Sequence, residues 1–545
     1  MPEDRRGTDA PTSAVLDEAH VGDIQGAFGT IRQHDTEPRR TWWARLLVLL
    51  AIMGPGLIVM VGDNDAGGVS TYAQAGQNFG LTLLWTLPLL IPVLIVNQEM
   101  VVRLGAVTGV GHARLIIERF GRFWGAFSVG DLFILNFLTI ATEFIGVSLA
   151  LGYFGVSEYI SVPIAAVGLI AMTATGSFRR WERFMYVFVI ANFLVIPLVI
   201  FSHPKAGPFL HDLVVPGVRG GFNSTSVLLV IAIVGTTVAP WQLFFQQSNI
   251  VDKRITPRWI NYERADTFIG SIVVVFAASI LVAVPAAAFS GTKIFGAFTN
   301  AGGVAHGLAH YVGHGAGTIF AVILLNSSII GAAAVTLSTS YAFGDVFGAR
   351  HSLHRGWREA KLFYGTFSGM VLVAAGLILI PGAPLGVITT AVQALAGVLL
   401  PSATVFLLLL CNDRDVLGPW VNRPWLNLVA TVIVSILLMM SLILMATTMF
   451  SSINVRTLSL VLGLVLLVGY IVAGVAIVRT RLKHPRPAPP VPSQPRDTWR
   501  MPALGLLERP KWSRGRLTAM YLLRGYLVVA VVLLLVKAIQ LGLHK

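Results

Sequence analysis

The chain has 545 residues, of which 55% are hydrophobic and only 12% charged, with a formal net charge of +14 and a single cysteine. Soluble domains carry about twice that charged fraction, so the composition excludes a soluble globular protein and indicates a polytopic membrane protein. The basic residues sit in short loops between apolar spans, which argues against a nucleic-acid binder and suits anionic lipid at a cytoplasmic face; the lone Cys411 excludes an intrachain disulfide framework and a cysteine metal cluster.

Residues 1–45 are polar, lack an early apolar run and read as a largely disordered cytoplasmic tail rather than a cleaved signal. The tail ends in the interfacial anchor Arg39-Arg40-Thr41-Trp42-Trp43, with Arg45 its last charge. Span one then begins as a membrane helix, almost wholly apolar from Leu46 to Val61, and is interrupted by Gly62-Asp63-Asn64-Asp65-Ala66-Gly67-Gly68 before the pattern resumes. A carboxylate at that depth costs about 2.5–3.5 kcal/mol and needs a partner or a wet cavity. Irregular backbone is tolerated there only where it is buried in protein or lines a cavity. A broken helix bearing an acid is how secondary transporters build cation sites, with freed carbonyls and the acid converging on the ion.

Further apolar windows place spans at 82–103, 125–154, 158–177, 185–203, 225–250, 266–290, 316–344, 363–381, 387–411, 427–450 and 457–478. The even-to-odd loops hold most of the arginine and lysine, for example Arg114, Arg119 and Arg122, then Lys253, Arg254 and Arg258. That asymmetry predicts a cytoplasmic N-terminus. Span six is interrupted in its turn: an apolar run meets Gly235-Thr236-Thr237 and then Ala239-Pro240. Proline removes a backbone donor, clashes with the preceding turn and pushes the residue before it out of the α region. Breaks in spans one and six lie five spans apart, in corresponding positions of two five-span halves of opposite topology, which points to a site at mid-membrane. The expected fold is therefore an all-α polytopic membrane protein of two inverted five-helix repeats. Residues 46–411 form its core of ten spans and 412–480 hold spans eleven and twelve. A Pro-rich basic linker at 481–516, with no core to bury, leads to an additional span at 517–545.

Several conspicuous residues read as structural. His306, His310 and His314 have helical spacing but no carboxylate beside them, and are expected at the surface. Asp63 is read as a vestibule charge or helix cap as readily as a ligand, Glu99 with Arg103 as an i, i+4 pair, and Asp131 as an acid at a helix start. No phosphate-binding glycine loop and no nucleophile–base constellation is present, so neither an ATP-driven pump nor an enzyme is expected.

Five segments together resemble the NRAMP divalent-metal transporters: GPG…VGDNDAGG…QAGQNFG in span one, QEMVVRLGAVTG from Gln98, ATEFIGVSLAL from Ala141, GTTVAPWQLFFQQS from Gly235 and QALAGVLLP from Gln393. The resemblance covers roughly residues 46–480 and implies a LeuT-like fold. It carries the family's ligand Asp onto Asp65, the span-six ligand carbonyl onto Thr236 and the span-ten Gln onto Gln393. The departures are as specific. The family's ligand Asn is Gly68, its thioether Met is Ala239, its two span-six His are Trp241 and Gln246, and its span-three Asp is Ile140, leaving Glu143 as a remnant of a proton relay. This pattern resembles the NRAMP-related magnesium transporters.

The chemistry of the residues points the same way. Losing a soft thioether removes a device that favours transition metals. A roomier all-oxygen site suits Mg2+, which sheds water reluctantly. Asp65 would supply the charge, Thr236 its carbonyl, and Gln393, Asn64 and Gln242 would hold waters, with Gly68, Ala239, Trp241 and Gln246 lining the space. The expected function is Mg2+ uptake across the plasma membrane by alternating access, with Mn2+ accepted and no strict proton coupling. The ion is the cargo, and no cofactor or obligate protein partner is expected. The alternatives are a proton-coupled Mn2+/Fe2+ symporter, a sodium-coupled carrier of small organic solutes, which Asp65 disfavours, and a cation-sensing membrane protein.

Overall fold

The computed structural model describes residues 18–450, 453–483 and 495–508 and, of the last segment, residues 517–518, 520–526, 528–529 and 532. A short hairpin, β1 (Ile24–Gly26) and β2 (Gly29–Ile31), precedes the helices. Then come α1 (Trp42–Ile52), α2 (Pro55–Gly62), α3 (Ala66–Phe79), α4 (Thr86–Thr108), α5 (His112–Phe120), α6 (Arg122–Tyr153) and α7 (Glu158–Thr173). The middle of the chain forms α8 (Phe178–Ala191), α9 (Val195–Ser202), α10 (Ala206–Val214), α11 (Ser224–Thr237), α12 (Pro240–Asp252), α13 (Ile260–Phe289) and α14 (Ala301–Tyr311). The rest forms α15 (His314–Phe347), α16 (Lys361–Ile378), α17 (Leu385–Cys411), α18 (Arg414–Leu417), α19 (Pro424–Met449) and α20 (Val455–Lys483).

Among the described residues, ten helices or continuous helix pairs are long and apolar enough to cross a membrane, and the bent pair α1–α2 makes an eleventh. The expected fourth span, α7, is apolar but shorter than these. Span one is broken twice. Besides the expected break before Asp65, α1 and α2 meet at 55°. Gly54 sits there with φ 153°, a conformation that favours glycine, and Pro55 follows at the first helical position, where its missing N–H costs nothing. Span six breaks at Val238-Ala239, between α11 and α12.

The interrupted spans lie at the centre. In the span formed by α11 and α12, 94% of the most apolar window is buried inside the protein, against none in α20. Helices α2 and α3 pack along α13, α11 along α17, and α6 along α15. The outer helices turn apolar side chains outward, among them Ile164, Val187, Leu372, Leu428 and Leu464. This is the surface a bilayer would cover. Trp42 and Trp43 stack on each other, exposed at the start of α1.

Two segments expected to lack structure are packed on the face that carries the N-terminus. Residues 18–41 are not a disordered tail. The hairpin loop presents the Ala27 N–H to Glu182 Oε2 at 2.5 Å, Arg183 donates to the Ala27 carbonyl at 3.0 Å, and Arg254 donates to the Ala19 and Asp23 carbonyls. Ile24, Ala27 and Ile31 are buried, which gives this polar stretch a small apolar face to bury. Residues 1–17 lie outside the described residues. The linker likewise has something to bury: Met501 is buried, its N–H reaches the Val107 carbonyl at 3.2 Å, and Trp420 Nε1 donates to the Arg496 carbonyl at 2.7 Å. Its residues 484–494 and 509–516 lie outside the described set. The described part of the last segment rests on the start of α6, with the Tyr521 ring 5.6 Å from Trp124 and Arg524 4.1 Å over Phe123. Outside the spans, burial opposes a charge on His351, but the Asp345 carboxylate and the Ala349 carbonyl outweigh it and raise its pKa.

Candidate metal centre

Asp65 occupies the N-cap of α3, and its Oδ1 accepts the Gly68 N–H at 2.6 Å. The cap fixes the carboxylate at a helix N-terminus, where negative charge is favoured. Thr236 ends the opposing half-helix α11. In an unbroken helix its carbonyl would accept from residue 240, but Pro240 has no N–H to give, so that oxygen is left to another partner. The Thr236 hydroxyl is buried without a hydrogen-bond partner and faces Asp65. The Gln393 carboxamide reaches from α17 onto Gly67, where any Cβ would strike its nitrogen, and Nε2 has no partner.

Glu143, on α6, is closer to the site than a relay remnant need be. Its Oε2 accepts the Ala66 N–H at 3.0 Å and its carboxyl group faces that of Asp65. Two facing carboxyl groups cannot both stay ionised without a cation or proton between them. The absence of a side chain at Gly331 makes this approach possible, since a Cβ there would stand 2.7 Å from both Asp65 Cβ and Glu143 Oε2. Asp65, Thr236, Gln393 and Glu143 thus converge from α3, α11, α17 and α6.

The expected room at Gly68 is not there. A Cβ on Gly68 would stand 2.9 Å from the Asp63 carbonyl oxygen and 3.0 Å from Thr236 Oγ1, so backbone and hydroxyl already occupy the space a side chain would take. Ala239 caps α12 and is buried. The Trp241 ring packs over Gly62, 3.5 Å from where a Cβ would stand, and its carbonyl accepts from Ser338 Oγ at 3.0 Å.

Three expected participants turn elsewhere. Asn64 donates to the Val274 carbonyl at 3.3 Å, which directs it to α13. The Gln242 Oε1 is taken by Gln98 Nε2 at 3.1 Å, leaving its amide nitrogen beside Asp63. Gln246 donates to Thr267 Oγ1 at 2.9 Å and lies beside Glu263, so it does not line the Asp65 site. In their place the structure brings in Asp63. It is the C-cap of α2, fully buried, with neither carboxylate oxygen hydrogen-bonded. It is therefore no vestibule charge. The sequence signal for it was its place two residues before Asp65 in the same break. The Tyr72 hydroxyl, 2.8 Å from Thr237 Oγ1, ties the two half-helices together beside it.

The nearby Met60 Sδ is turned to Ser271 Oγ, at 3.9 Å. His306 and His310 lie on α14, but His314 begins α15 beyond Gly313, so the three do not share one helix. Among the described residues no three of His, Cys, Asp and Glu converge to cage a metal. A cation at the break would be held by one or two carboxylates, neutral oxygens and water, the manner in which Mg2+ is usually bound.

The family model for Nramp, natural resistance-associated macrophage protein-like, matches residues 56–447, well over half of the chain. The chain belongs to the Nramp family. Among Nramp relatives, the divalent metal cation transporter MntH of Aeromonas hydrophila is 27% identical over 401 residues, covering 70% of this chain and 91% of that protein. MntH of Mesorhizobium japonicum is 27% identical over 432 residues, covering 75% and 91%. A crystal structure of the Eremococcus coleocola manganese transporter superposes with a TM-score of 0.61 at 20% identity, over 82% of this chain and 97% of that one. The fold is accordingly the expected one: all-α and polytopic, two inverted five-helix repeats of LeuT-like architecture with helices one and six broken.

Proposed function

We propose that this Nramp protein is a divalent-cation transporter of the magnesium-related branch, carrying Mg2+ inward by alternating access, with Mn2+ accepted. Its N-terminus is cytoplasmic and its membrane is the plasma membrane. The observation that carries this reading is the donor set at the break. The Asp65 carboxylate, the Thr236 carbonyl released by Pro240 and the Gln393 carboxamide converge with no thioether or imidazole among them. Hard oxygen donors suit Mg2+ and Mn2+, whereas soft donors favour the later transition metals.

Glu143 keeps its proton and acts as a neutral hydrogen-bonding partner of Asp65, so no proton is carried with the ion. The facing carboxyl groups of Asp65 and Glu143 favour a second reading, a proton-coupled symporter in which the arriving cation expels the proton held between them. The two readings separate in proteoliposomes holding a pH dye. Mg2+ influx driven by an inward-negative potential should proceed with no stoichiometric acidification, and Glu143→Gln should retain most of the wild-type rate. Acidification that tracks Mg2+ entry and disappears in Glu143→Gln would establish the symporter instead.

A further inference from the structure

A second group of buried acids lies where span one bends, and the transport site does not use it. Glu182, Lys253, Glu263 and Asp266 are all fully buried. Glu182 and Lys253 satisfy each other. The Lys253 ammonium gives its three protons to Glu182 Oε1 at 2.5 Å, the Ile52 carbonyl at 2.6 Å and the Met53 carbonyl at 2.8 Å. Glu182 Oε2 takes the Ala27 N–H. Asp266 Oδ2 accepts the Gly54 and Gly56 N–H groups at 2.9 and 2.8 Å.

By geometry, Asp266 Oδ1, both oxygens of Glu263 and Gln246 Oε1 are buried with no hydrogen-bond partner, and the Gln246 amide faces Glu263. The Tyr186 hydroxyl, close to both acids, has none either. The nearby bases are engaged elsewhere: Arg183 with the Ala27 carbonyl, Arg254 with the Ala19 and Asp23 carbonyls, and Arg264 with Glu99 at 2.5 Å. The two buried carboxylates therefore have only Lys253 as a nearby cation, and its three protons go to other oxygens. Burying a charge unpaired costs several kcal/mol or more.

We propose that Glu263, Asp266 and Gln246 form a second cation site, which takes a partly hydrated hard divalent cation on its way from Asp65 to the cytoplasm. The unpartnered acceptors are all oxygens, the donor class of Mg2+ and Mn2+. Glu263 and Asp266 are three residues apart on α13 and so share a face. Gln246 is held over them by its bond to Thr267, the residue after Asp266. The site flanks α2, the short helix whose far end leads into Asp65. Eight residues of helix place the two sites about 12 Å apart along the span. Asp266 also holds the N–H groups of the Gly54 bend. A cation drawing on Asp266 would thus compete for the group that fixes α2 to α13 and favour release of that bend. The role on the exit path rests on the uptake reading above; the binding site itself does not.

The test uses the purified full-length protein and Mn2+ alone, with bound ion counted by electron paramagnetic resonance. Wild type should bind two ions. Asp65→Asn should keep one, and Asp65→Asn with Glu263→Gln should weaken that remaining ion at least about tenfold, the loss that even indirect ligand changes produce. Glu263→Gln is nearly isosteric and removes a buried charge, so it should elute and melt as a folded protein. The proposal is overturned if Asp65→Asn binds no Mn2+, or if its residual ion is indifferent to Glu263→Gln. In uptake, Glu263→Gln should lower the maximal rate and leave KM for external Mg2+ unchanged. If wild type binds two ions but transports neither Mg2+ nor Mn2+, the transport reading fails and the second site stands.

Discussion

At the scale of single residues, the proposed selectivity turns on Ala239 and Gly68, which stand where the family has a thioether and an asparagine. The two positions behave differently in the folded protein. Ala239 is buried at the N-cap of α12, at the broken turn, whereas a side chain at Gly68 meets the Asp63 carbonyl and the Thr236 hydroxyl at once. Ala239→Met should therefore make Mn2+ and Cd2+ better competitors of Mg2+ uptake. Gly68→Asn should lower uptake of every ion and destabilise the protein by about 1–3 kcal/mol, as overpacking does. Competition assays and thermal unfolding separate the two outcomes. Unchanged selectivity in Ala239→Met would remove the missing sulfur as its cause. The breaks that carry Asp65 and Thr236 are readable in the sequence because glycine, aspartate and proline mark them directly. The directions of Asn64, Gln242 and Gln246 are not. Each amide can turn either way, and Val274, Gln98 and Thr267 decide it from other helices.

At the scale of elements, the feature that hydropathy missed is the second bend of span one. Gly54 and Pro55 announce it only weakly, and its stability comes from distant partners: Asp266 on α13, Lys253 at the end of α12 and Glu182 on α8. Lys253→Met leaves Glu182 buried without its counter-ion and strips two carbonyls of their donor. Breaking a buried pair from one side costs about 3–5 kcal/mol, so a large fall in melting temperature is expected. Adding Glu182→Gln removes the orphaned charge and should restore part of it. A double variant no more stable than Lys253→Met would show that the ion pair is not what secures the bend. Conversely, the i, i+4 pair of Glu99 and Arg103 is as structural as its spacing suggests. Arg103 also holds the Trp420 carbonyl at 2.5 Å and Asn422 at 2.6 Å.

At the scale of the whole molecule, two broken spans meet at the centre and a hairpin and a linker cover one face. The inverted arrangement is readable because both interruptions occur five spans apart in the sequence. The cover is not, because a polar segment acquires order only from partners supplied by the fold: Glu182 and Arg183 for the hairpin, Val107 and Trp420 for the linker. An inward-negative potential supplies about 2.3 kcal/mol per charge per 100 mV, twice that for a divalent ion. That force acts on cargo without any proton. On the function proposed above, the ion in passage needs a fixed negative charge at the centre of the membrane, and Asp65 would supply it. The most direct measurement is therefore potential-driven Mg2+ uptake into proteoliposomes by wild type and Asp65→Asn, with both proteins shown to be folded. The substitution keeps the cap and the shape of the side chain and removes the charge. Uptake should fall at least about tenfold, since even indirect ligand changes cost that much; Asp65→Asn carrying Mg2+ at the wild-type rate would contradict the placement of the transport site at Asp65.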